Sequence, residues 1–153
     1  GCVIIPNSGL EQLREFVSIG DSPVVLAPAI KWLPDDTPQS GTDVPTAIEG
    51  WKQAWESNDA EAYLAYYHPD FSDSTRDLAA FRAYKTRINR GKRFIRVNLT
   101  EMTVFAYPLE DDLVTVQFHQ DYSSSNHVWQ GRKQLLWRRD ESGAWRILYE
   151  GNG

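Results

Sequence analysis

The stretch Leu113-Val114-Thr115-Val116-Gln117-Phe118-His119-Gln120-Asp121-Tyr122 decides the fold of this chain. Apolar and polar residues alternate along it, which is the period of a β-strand with one buried face. Val114, Val116 and Phe118 share the phase that must face the core, and His119 and Asp121 share the other. Gln120 and Tyr122 continue the inward phase. We therefore expect two hydrogen-bonding side chains to enter an apolar interior near the end of the strand.

The segments around this strand combine helical and strand signatures. Strands are predicted over 94–99, 102–107, 113–122, 128–138 and 145–150. Helices are predicted over 45–57, over a second segment that stops at His68-Pro69, and over 75–89. Phe71 is expected to plug the space after the second helix. Three helices followed by an antiparallel sheet indicate an α+β fold.

Positive charge is concentrated on and after the third predicted helix. The basic residues there are Arg82, Lys85, Arg87, Arg90, Lys92, Arg93 and Arg96. Leu78, Phe81 and Ile88 form the apolar stripe of the helix, and either Tyr84 or Lys85 completes it. We interpret the basic cluster as a solvated helix face. The alternative is a landing surface for an anionic cell-wall polymer.

The first 33 residues are organised differently from the rest of the chain. Val3-Ile4-Ile5 and Val24-Val25-Leu26 predict two short strands, and between them Asn7-Ser8 is expected to cap a helix with apolar residues at helical spacing. Residues 34–44 are rich in proline and acidic residues, which is the composition of a linker. We expect a first segment over 1–33, a linker over 34–44 and a folded domain over 45–153.

Cys2 is the only cysteine, so it cannot form an internal disulfide. It is a nucleophile, an attachment point or a small buried hydrophobe. A lipid-attachment box also ends in Gly-Cys, although Val3-Ile4-Ile5 is poor chemistry for a tether. A nucleophilic thiol needs a neighbouring base. The three histidines of the chain, His68, His119 and His127, all fall in the predicted second domain.

The segment from Gly1-Cys2-Val3 through Asn7 to Pro23-Val24-Val25 resembles the C-terminal end of the L,D-transpeptidase (YkuD-type) catalytic domain. Ile4 departs from the Arg that many members carry. The resemblance implies that Cys2 is the nucleophile that attacks a peptidoglycan stem peptide, with its histidines upstream of Gly1. It also implies a fragment that is inactive alone, from a periplasmic or otherwise extracytoplasmic protein of a bacterium. The missing initiator methionine fits that expectation.

The remaining residues resemble the nuclear-transport-factor-2-like (NTF2-like, SnoaL-like) superfamily, in which a cone of helices packs on a curved sheet. The stretches that carry the resemblance are Trp51-Lys52-Gln53-Ala54-Trp55 with Asn58-Asp59, 63–71, 116–123, Lys133-Gln134-Leu135-Leu136-Trp137 and Trp145-Arg146-Ile147. The resemblance implies a cavity between the helices and the concave sheet face. Some L,D-transpeptidases carry such a domain after the catalytic one, so the two resemblances support each other.

The candidate cavity residues follow from the strand phases. Gln120 and Tyr122 face inward, and Lys133 meets them if its strand shares that phase with Trp137. Tyr67 or His68 is expected at the rim. The simpler interpretation pairs Gln120 and Tyr122 with each other or with backbone, and places Trp137 in the core.

Composition excludes several classes of function. The formal charge of −5 argues against nonspecific nucleic-acid binding, and no segment has the length and hydrophobicity of a membrane span. Three scattered histidines and one remote cysteine give no metal-ligand spacing, and no phosphate-type glycine loop or other cofactor motif is present. We therefore expect no metal and no cofactor.

Three hypotheses for the function remain. The first is an accessory domain that binds peptidoglycan or another small ligand, or forms a homodimer through the sheet, within a peptidoglycan-processing L,D-transpeptidase. The second is a free-standing SnoaL-like enzyme that acts on a small carbonyl compound with Tyr67, Gln120, Tyr122 and Lys133. The third is a structural interaction module whose cavity is filled by its own side chains.

Overall fold

The computed structural model describes residues 4–18, 22, 24, 26, 28–29, 43–107 and 110–152. Its helices are α1 (Asn7–Leu13), α2 (Val44–Glu56), α3 (Ala60–Leu64) and α4 (Leu78–Asn89). Its strands are β1 (Tyr67–Asp73), β2 (Ile95–Tyr107), β3 (Glu110–Ser124), β4 (His127–Arg139) and β5 (Trp145–Asn152). The strands form one sheet in the order β1-β5-β4-β3-β2. The predicted α+β fold, with three helices packed on a curved and mainly antiparallel sheet, is confirmed. We call this unit, from α2 to β5, the cone.

Local sequence signals start the helices of the cone. The Asp59 carboxylate accepts hydrogen bonds from the backbone N–H groups of Glu61 and Ala62 at the start of α3. Asp77 accepts from the Ala80 N–H in the same way at the start of α4. These N-caps satisfy donors that have no partner within the helix.

Aromatic rings fill the space between the helices and the sheet. Trp51 of α2 packs edge-on against Trp137 of β4, with ring centroids 6.5 Å apart, and lies 6.4 Å from Phe118 of β3. Trp55 and Tyr63 extend this cluster toward the end of β3. Val114, Val116 and Phe118 are buried, so the inward phase predicted for this strand is confirmed.

The second predicted helix is too long. Helix α3 ends at Leu64, and Tyr67–Asp73 forms β1, an edge strand that pairs in parallel with β5. Pro69 cannot donate a hydrogen bond, and an edge strand tolerates it because one side of the strand has no partner to bond. Phe71 is buried in the core, as the expected plug.

The predicted strands 94–99 and 102–107 are one strand, β2. The register against β3 shifts between Thr100 and Thr103, and Glu101 has a positive φ of 53°. This bulge interrupts the alternation in the sequence without ending the strand.

The described part of the first segment is largely exposed. Helix α1 is preceded by Pro6, has no side-chain cap and buries none of its residues, so it is shorter than predicted and Asn7-Ser8 does not cap it. A short helix without a packed face has little to extend it. Val24 and Leu26 are 77% and 71% exposed, which contradicts the buried strand predicted there. The strand at Val3-Ile4-Ile5 lies partly outside the described residues, and Ile4 is exposed.

The predicted domain boundaries stay a prediction, and most of the linker over 34–44 lies outside the described residues. Its last two positions contact the cone. Val44 is fully buried, and the Asp43 carboxylate accepts hydrogen bonds from the Trp145 indole N–H at 2.9 Å and from Arg139.

Candidate functional site

A cavity of about 220 Å³ lies between α2, α4 and the inner face of β3, β4 and β5. We call it the inner cavity. Aromatic side chains and Ile88 form part of its wall, and the rest is polar or charged. The charged residues are Lys85, Lys92, Lys133 and Glu150, and the aromatic ones are Trp55, Tyr84, Tyr122 and Trp129.

Three of the candidate residues meet in this cavity. Gln120 and Tyr122 of β3 and Lys133 of β4 all line it. Gln120 is 3% exposed, so an amide enters an otherwise apolar stretch of wall, as the strand phase predicts. The Lys133 ammonium bonds to Glu150, and its stem carries the ammonium to 5.1 Å from the centre of the Trp129 ring.

The other candidates lie elsewhere. Trp137 is fully buried in the core beside Trp51, where the simpler interpretation placed it. His68 lies on the edge strand β1, where its Nδ1 accepts a hydrogen bond from the Asp70 N–H at 3.1 Å. Tyr67 points into the interior rather than to the rim, and it reaches the cavity only through Glu150. Cys2 lies outside the described residues.

Glu150 is the centre of a buried hydrogen-bond network. Its Oε1 accepts from the Lys133 ammonium at 3.2 Å, and its Oε2 accepts from the Tyr67 hydroxyl at 3.1 Å. The Tyr67 hydroxyl also bonds to the Tyr63 hydroxyl and accepts from the Trp51 indole N–H at 3.4 Å. Each carboxylate oxygen therefore accepts a hydrogen bond from the protein, which fixes the orientation of the carboxylate and gives both oxygens a donor.

Charge and burial set the protonation states in this network. Burial raises the pKa of Glu150, but the ammonium groups of Lys85 and Lys133 and the hydrogen bonds it accepts outweigh burial and hold the pKa below its ordinary value. Burial, and next the Glu150 charge, raise the pKa of Tyr63 and Tyr67 well above the ordinary value. The carboxylate is ionised and the tyrosines are neutral at neutral pH.

Lys85 of α4 is 8% exposed and lines the same cavity. Its ammonium lies over three aromatic rings, 4.8 Å from the centre of Trp55, 5.0 Å from Phe81 and 5.4 Å from Tyr63. Burial lowers the pKa of Lys85, and the Glu150 carboxylate opposes that shift. The prediction of a solvated basic face holds for the exposed Arg87, Arg90, Arg93 and Arg96 and is wrong for Lys85, because Lys85 completes the apolar stripe.

Two further hollows adjoin the inner cavity. A side hollow of about 320 Å³ shares Tyr84, Lys85, Lys133 and Glu150 with it and adds the Asp73–Arg76 ion pair, whose atoms lie 2.8 Å apart. An outer groove of about 530 Å³, between the end of α2 and β2, β3 and β4, shares Tyr122 and Trp129. The groove is larger, but the inner cavity brings together the buried charges and the candidate residues.

Sequence reasoning missed Glu150 because of a bulge in β5. Trp145 and Ile147 face the core, and strict alternation would place Tyr149 inward and Glu150 outward. Ile147 pairs with Trp137 and Tyr149 pairs with Leu136, so two steps along β5 match one step along β4. The extra residue reverses the phase and turns Glu150 inward beside Leu135. No local signal in the sequence marks this bulge.

The histidines do not form a catalytic or metal-binding cluster within the described ranges, where no group of three or more His, Cys, Asp or Glu could hold a metal ion. His119 and Asp121 lie on the outer sheet face, 3.6 Å apart, as predicted. His127 is the first residue of β4 and lines the inner cavity, with its ring 6.1 Å from that of Tyr122. None of the described helices is long and apolar enough to cross a membrane.

Solved structures similar to this chain share its fold. Bd1075 from Bdellovibrio bacteriovorus is 22% identical with a TM-score of 0.76, over 100% of this chain and 54% of that one. The helical cell shape determining protein Pgp2 from Campylobacter jejuni, as its K307A mutant, is 23% identical with a TM-score of 0.74, over 99% of this chain and 53% of that one. This chain therefore spans about half the length of each.

An NTF2-like protein of unknown function from Pseudomonas putida KT2440 is 20% identical with a TM-score of 0.59, over 71% of this chain and 82% of that one. No curated protein is significantly similar to the sequence. The family model for the Cds6 C-terminal NTF2-like domain matches residues 43–151. This range contains the three helices of the cone, nearly the whole sheet and all the charged residues of the inner cavity. The chain therefore belongs to the family of Cds6 C-terminal NTF2-like domains.

Proposed function

We propose that this chain is the accessory ligand-binding part of a peptidoglycan-processing protein of the L,D-transpeptidase type. The observation that carries the proposal is the inner cavity, in which Gln120, Tyr122 and Lys133 meet the buried Glu150 and Lys85. Burying charged groups costs free energy, so charges that line a cavity indicate a function. A partly apolar cavity with a few convergent polar groups is the usual form of a small-ligand site. A peptidoglycan stem peptide offers the amide and carboxylate groups that such a wall can bind.

The similar structures support a longer parent protein. Bd1075 and Pgp2 are matched over 100% and 99% of this chain, so the match includes the first 33 residues as well as the cone. Pgp2 is described as determining helical cell shape. A protein that shapes a bacterial cell is expected to act on the wall outside the cytoplasm. This supports our proposal that the protein acts in the periplasm or another extracytoplasmic compartment.

The exposed apolar residues of the first segment support the same proposal. Ile4, Leu10, Phe16, Val24 and Leu26 are exposed, although such side chains normally pack against other apolar groups. We infer that this surface packs against the rest of a catalytic domain, in which Cys2 is the nucleophile and the histidines precede Gly1. This 153-residue piece alone then lacks the base and does not cross-link peptidoglycan.

The test is binding of purified muropeptides to the 153-residue chain, measured by ¹H–¹⁵N NMR titration. Saturable shifts at Gln120, Tyr122, Lys133 and their neighbours are expected. Lys133→Ala should weaken binding by about tenfold, because it removes a charged donor from the wall. Arg82→Ala is the control, since Arg82 lies on the outer side of α4 in an exposed pair with Glu61. Shifts confined to the exposed surface, or no binding at millimolar concentration, would contradict the proposal.

Dimerisation through the sheet is the other accessory role, and sedimentation equilibrium at micromolar concentration tests it. A monomer with normal muropeptide affinity would leave ligand binding as the role of the domain.

A second candidate function is catalysis on a small carbonyl compound. It is favoured by the juxtaposition of an ionised carboxylate and two lysines with a tyrosine in one cavity, at Glu150, Lys85, Lys133 and Tyr122. Such groups can move protons at a carbonyl substrate. This alternative requires turnover by the isolated chain that is lost in Tyr122→Phe or Lys133→Ala. A structural module would instead change only in stability or association.

A further inference from the structure

We propose that the Lys85 ammonium is the group that recognises a carboxylate of the ligand in the inner cavity, specifically the free C-terminal carboxylate of a peptide. This inference rests on the proposed function for the identity of the ligand. The evidence for the carboxylate itself comes from the cavity and does not depend on the parent protein.

The first argument is that Lys85 has no acceptor. It is 92% buried, with aromatic rings on three sides and the cavity beside it. Within the described part of the chain its ammonium makes no hydrogen bond, although Glu150 lines the same cavity. The nitrogen itself opens onto the cavity, since it is not one of the fully enclosed polar atoms without a partner. Its three donors are therefore available to a ligand with acceptor oxygens.

The second argument is a second donor without a partner. Trp55 also lines the inner cavity, and its buried indole N–H has no acceptor among the described residues. The indole nitrogen is enclosed in the wall, so the donor that a ligand meets directly is the Lys85 ammonium. A ligand with acceptor oxygens suits this wall better than a donor such as an amine.

The third argument is the balance of charge around Lys85. Glu150 hydrogen-bonds to Lys133 while its charge also acts on Lys85, and Asp73 is paired with Arg76. The single Glu150 carboxylate is therefore shared between two ammonium groups. Lys92 adds another positive charge at the cavity, where it bonds to the neutral oxygens of Ser124 and Asn126. The chain as a whole has a formal charge of −5, but more lysines than carboxylates line this cavity.

The size of the cavity narrows the ligand. Its 220 Å³ is below the 300–1,000 Å³ that is typical of drug-sized ligands. A peptide terminus of about two residues fits a cavity of 220 Å³ better than a whole glycan-linked stem does. A phosphate dianion would lie close to the Glu150 carboxylate and be repelled by it, whereas one carboxylate adds a single charge.

The test compares two probes that differ only in the terminal charge. N-acetyl-D-alanyl-D-alanine and its C-terminal amide are titrated into the 153-residue chain by calorimetry. We expect the free acid to bind about tenfold or more tightly than the amide, since it can pair with Lys85. In Lys85→Met the two probes should bind within about twofold of each other. Arg82→Met, on the outer side of the same helix, should keep the preference.

A second measurement uses the wild-type chain alone and does not depend on the folding of a variant. Propionate is titrated while the Lys85 side-chain NMR signals are followed. The expected result is a saturable shift at Lys85 and a rise of its pKa.

The outcomes separate this inference from the proposed function. If the amide binds as tightly as the acid, the carboxylate inference is wrong and peptide binding stands. If neither peptide binds but propionate binds at Lys85, carboxylate recognition by Lys85 stands, and both the peptide terminus and the peptidoglycan ligand are wrong. If propionate leaves Lys85 unchanged and neither peptide binds, both are wrong.

Discussion

The first segment and the inner cavity depart in opposite ways from the usual arrangement of apolar side chains inside and charged side chains outside. The first segment exposes apolar side chains, with Ile4 and Phe16 at 91% and 81% exposure, whereas the cavity buries Lys85 and leaves only 11% of the Glu150 side chain exposed. Elsewhere in the cone, apolar residues such as Trp51 and Trp137 are buried, and the arginines that follow Lys85 up to Arg96 are exposed. Exposed apolar groups and buried charges mark the places where a sequence serves something other than the stability of the fold. We propose that here they mark one surface for a neighbouring polypeptide and one site for a ligand.

The largest expected effect is in the core of the cone. Trp51→Ala should lower the free energy of unfolding by about 3 to 5 kcal/mol, because it removes a fully buried indole that packs on Trp137 and Phe118. Urea denaturation followed by circular dichroism measures this. A loss below about 1 kcal/mol would mean that the cone is not the stable unit of the chain.

The next effect is at the buried carboxylate. Glu150→Gln should cost about 2 to 3 kcal/mol at pH 7, because the Lys133 ammonium loses its charged partner. The control is Glu61→Gln, whose pair with Arg82 is exposed and should contribute less than about 1 kcal/mol. Equal losses in the two variants would contradict the distinction between buried and exposed charge.

The pH dependence of the same pair sharpens this point. The pKa of Glu150 is lowered in the folded state from its ordinary value of 4.5, so the unfolded chain takes up this proton at a higher pH than the folded chain does. The stabilisation is therefore complete above pH 4.5 and is lost as pH falls through the folded pKa. We expect the difference in unfolding free energy between wild type and Glu150→Gln to shrink below pH 4.5. A difference that stays constant to pH 2 would be inconsistent with an ionised Glu150.

A smaller effect of opposite sign is expected at Lys85. Lys85→Met should raise the free energy of unfolding by about 1 kcal/mol at pH 7, because a thioether among Trp55, Tyr63 and Phe81 needs no hydration. The pKa of Lys85 is lower in the folded chain than its ordinary value of 10.5, so the unfolded chain keeps this proton to a higher pH than the folded chain does. The free energy of unfolding of the wild type therefore increases as pH rises toward 10.5. The advantage of the variant should therefore diminish over that range. Arg82→Met should show no such trend.

The smallest effect is expected in the first segment. Phe16→Ser should change the free energy of unfolding by less than about 0.5 kcal/mol, because the ring is exposed. The substitution should also reduce any self-association seen by light scattering. A loss above about 1 kcal/mol would show that the segment packs into the cone, and the comparison with the inner cavity would no longer hold.

Much of the fold followed from local pattern. The alternation of residues 113–122 placed Val114, Val116, Phe118, Gln120 and Tyr122 on one buried face, and the structure agrees. Asp59 lies between the first two predicted helices, where a carboxylate can cap a helix start, and it caps α3. These predictions succeeded because strand phase and helix caps depend on neighbours within a few positions.

Other features were beyond local pattern. Residues 67–73 carry a proline and few β-branched residues, yet they form β1 because the edge of β5 offers backbone partners. Lys85 reads as part of a basic surface, and only the packing of α4 on the sheet turns it inward among three rings. Residues at such positions are decided by partners that are distant in the chain.

The amino-acid order alone therefore determined the α+β class, the inward phase of β3 and two of the polar residues of the cavity, Gln120 and Tyr122. Only the tertiary structure decided that Lys133 meets Glu150, because the phase of Glu150 is set by the pairing of β5 with β4. It also decided that Lys85 completes the site. The phase of a residue within one strand depends on its neighbours in the sequence. A bulge and the docking of a helix are fixed by contacts between distant segments. The polar lining of this cavity is therefore defined only once the sheet and α4 are assembled.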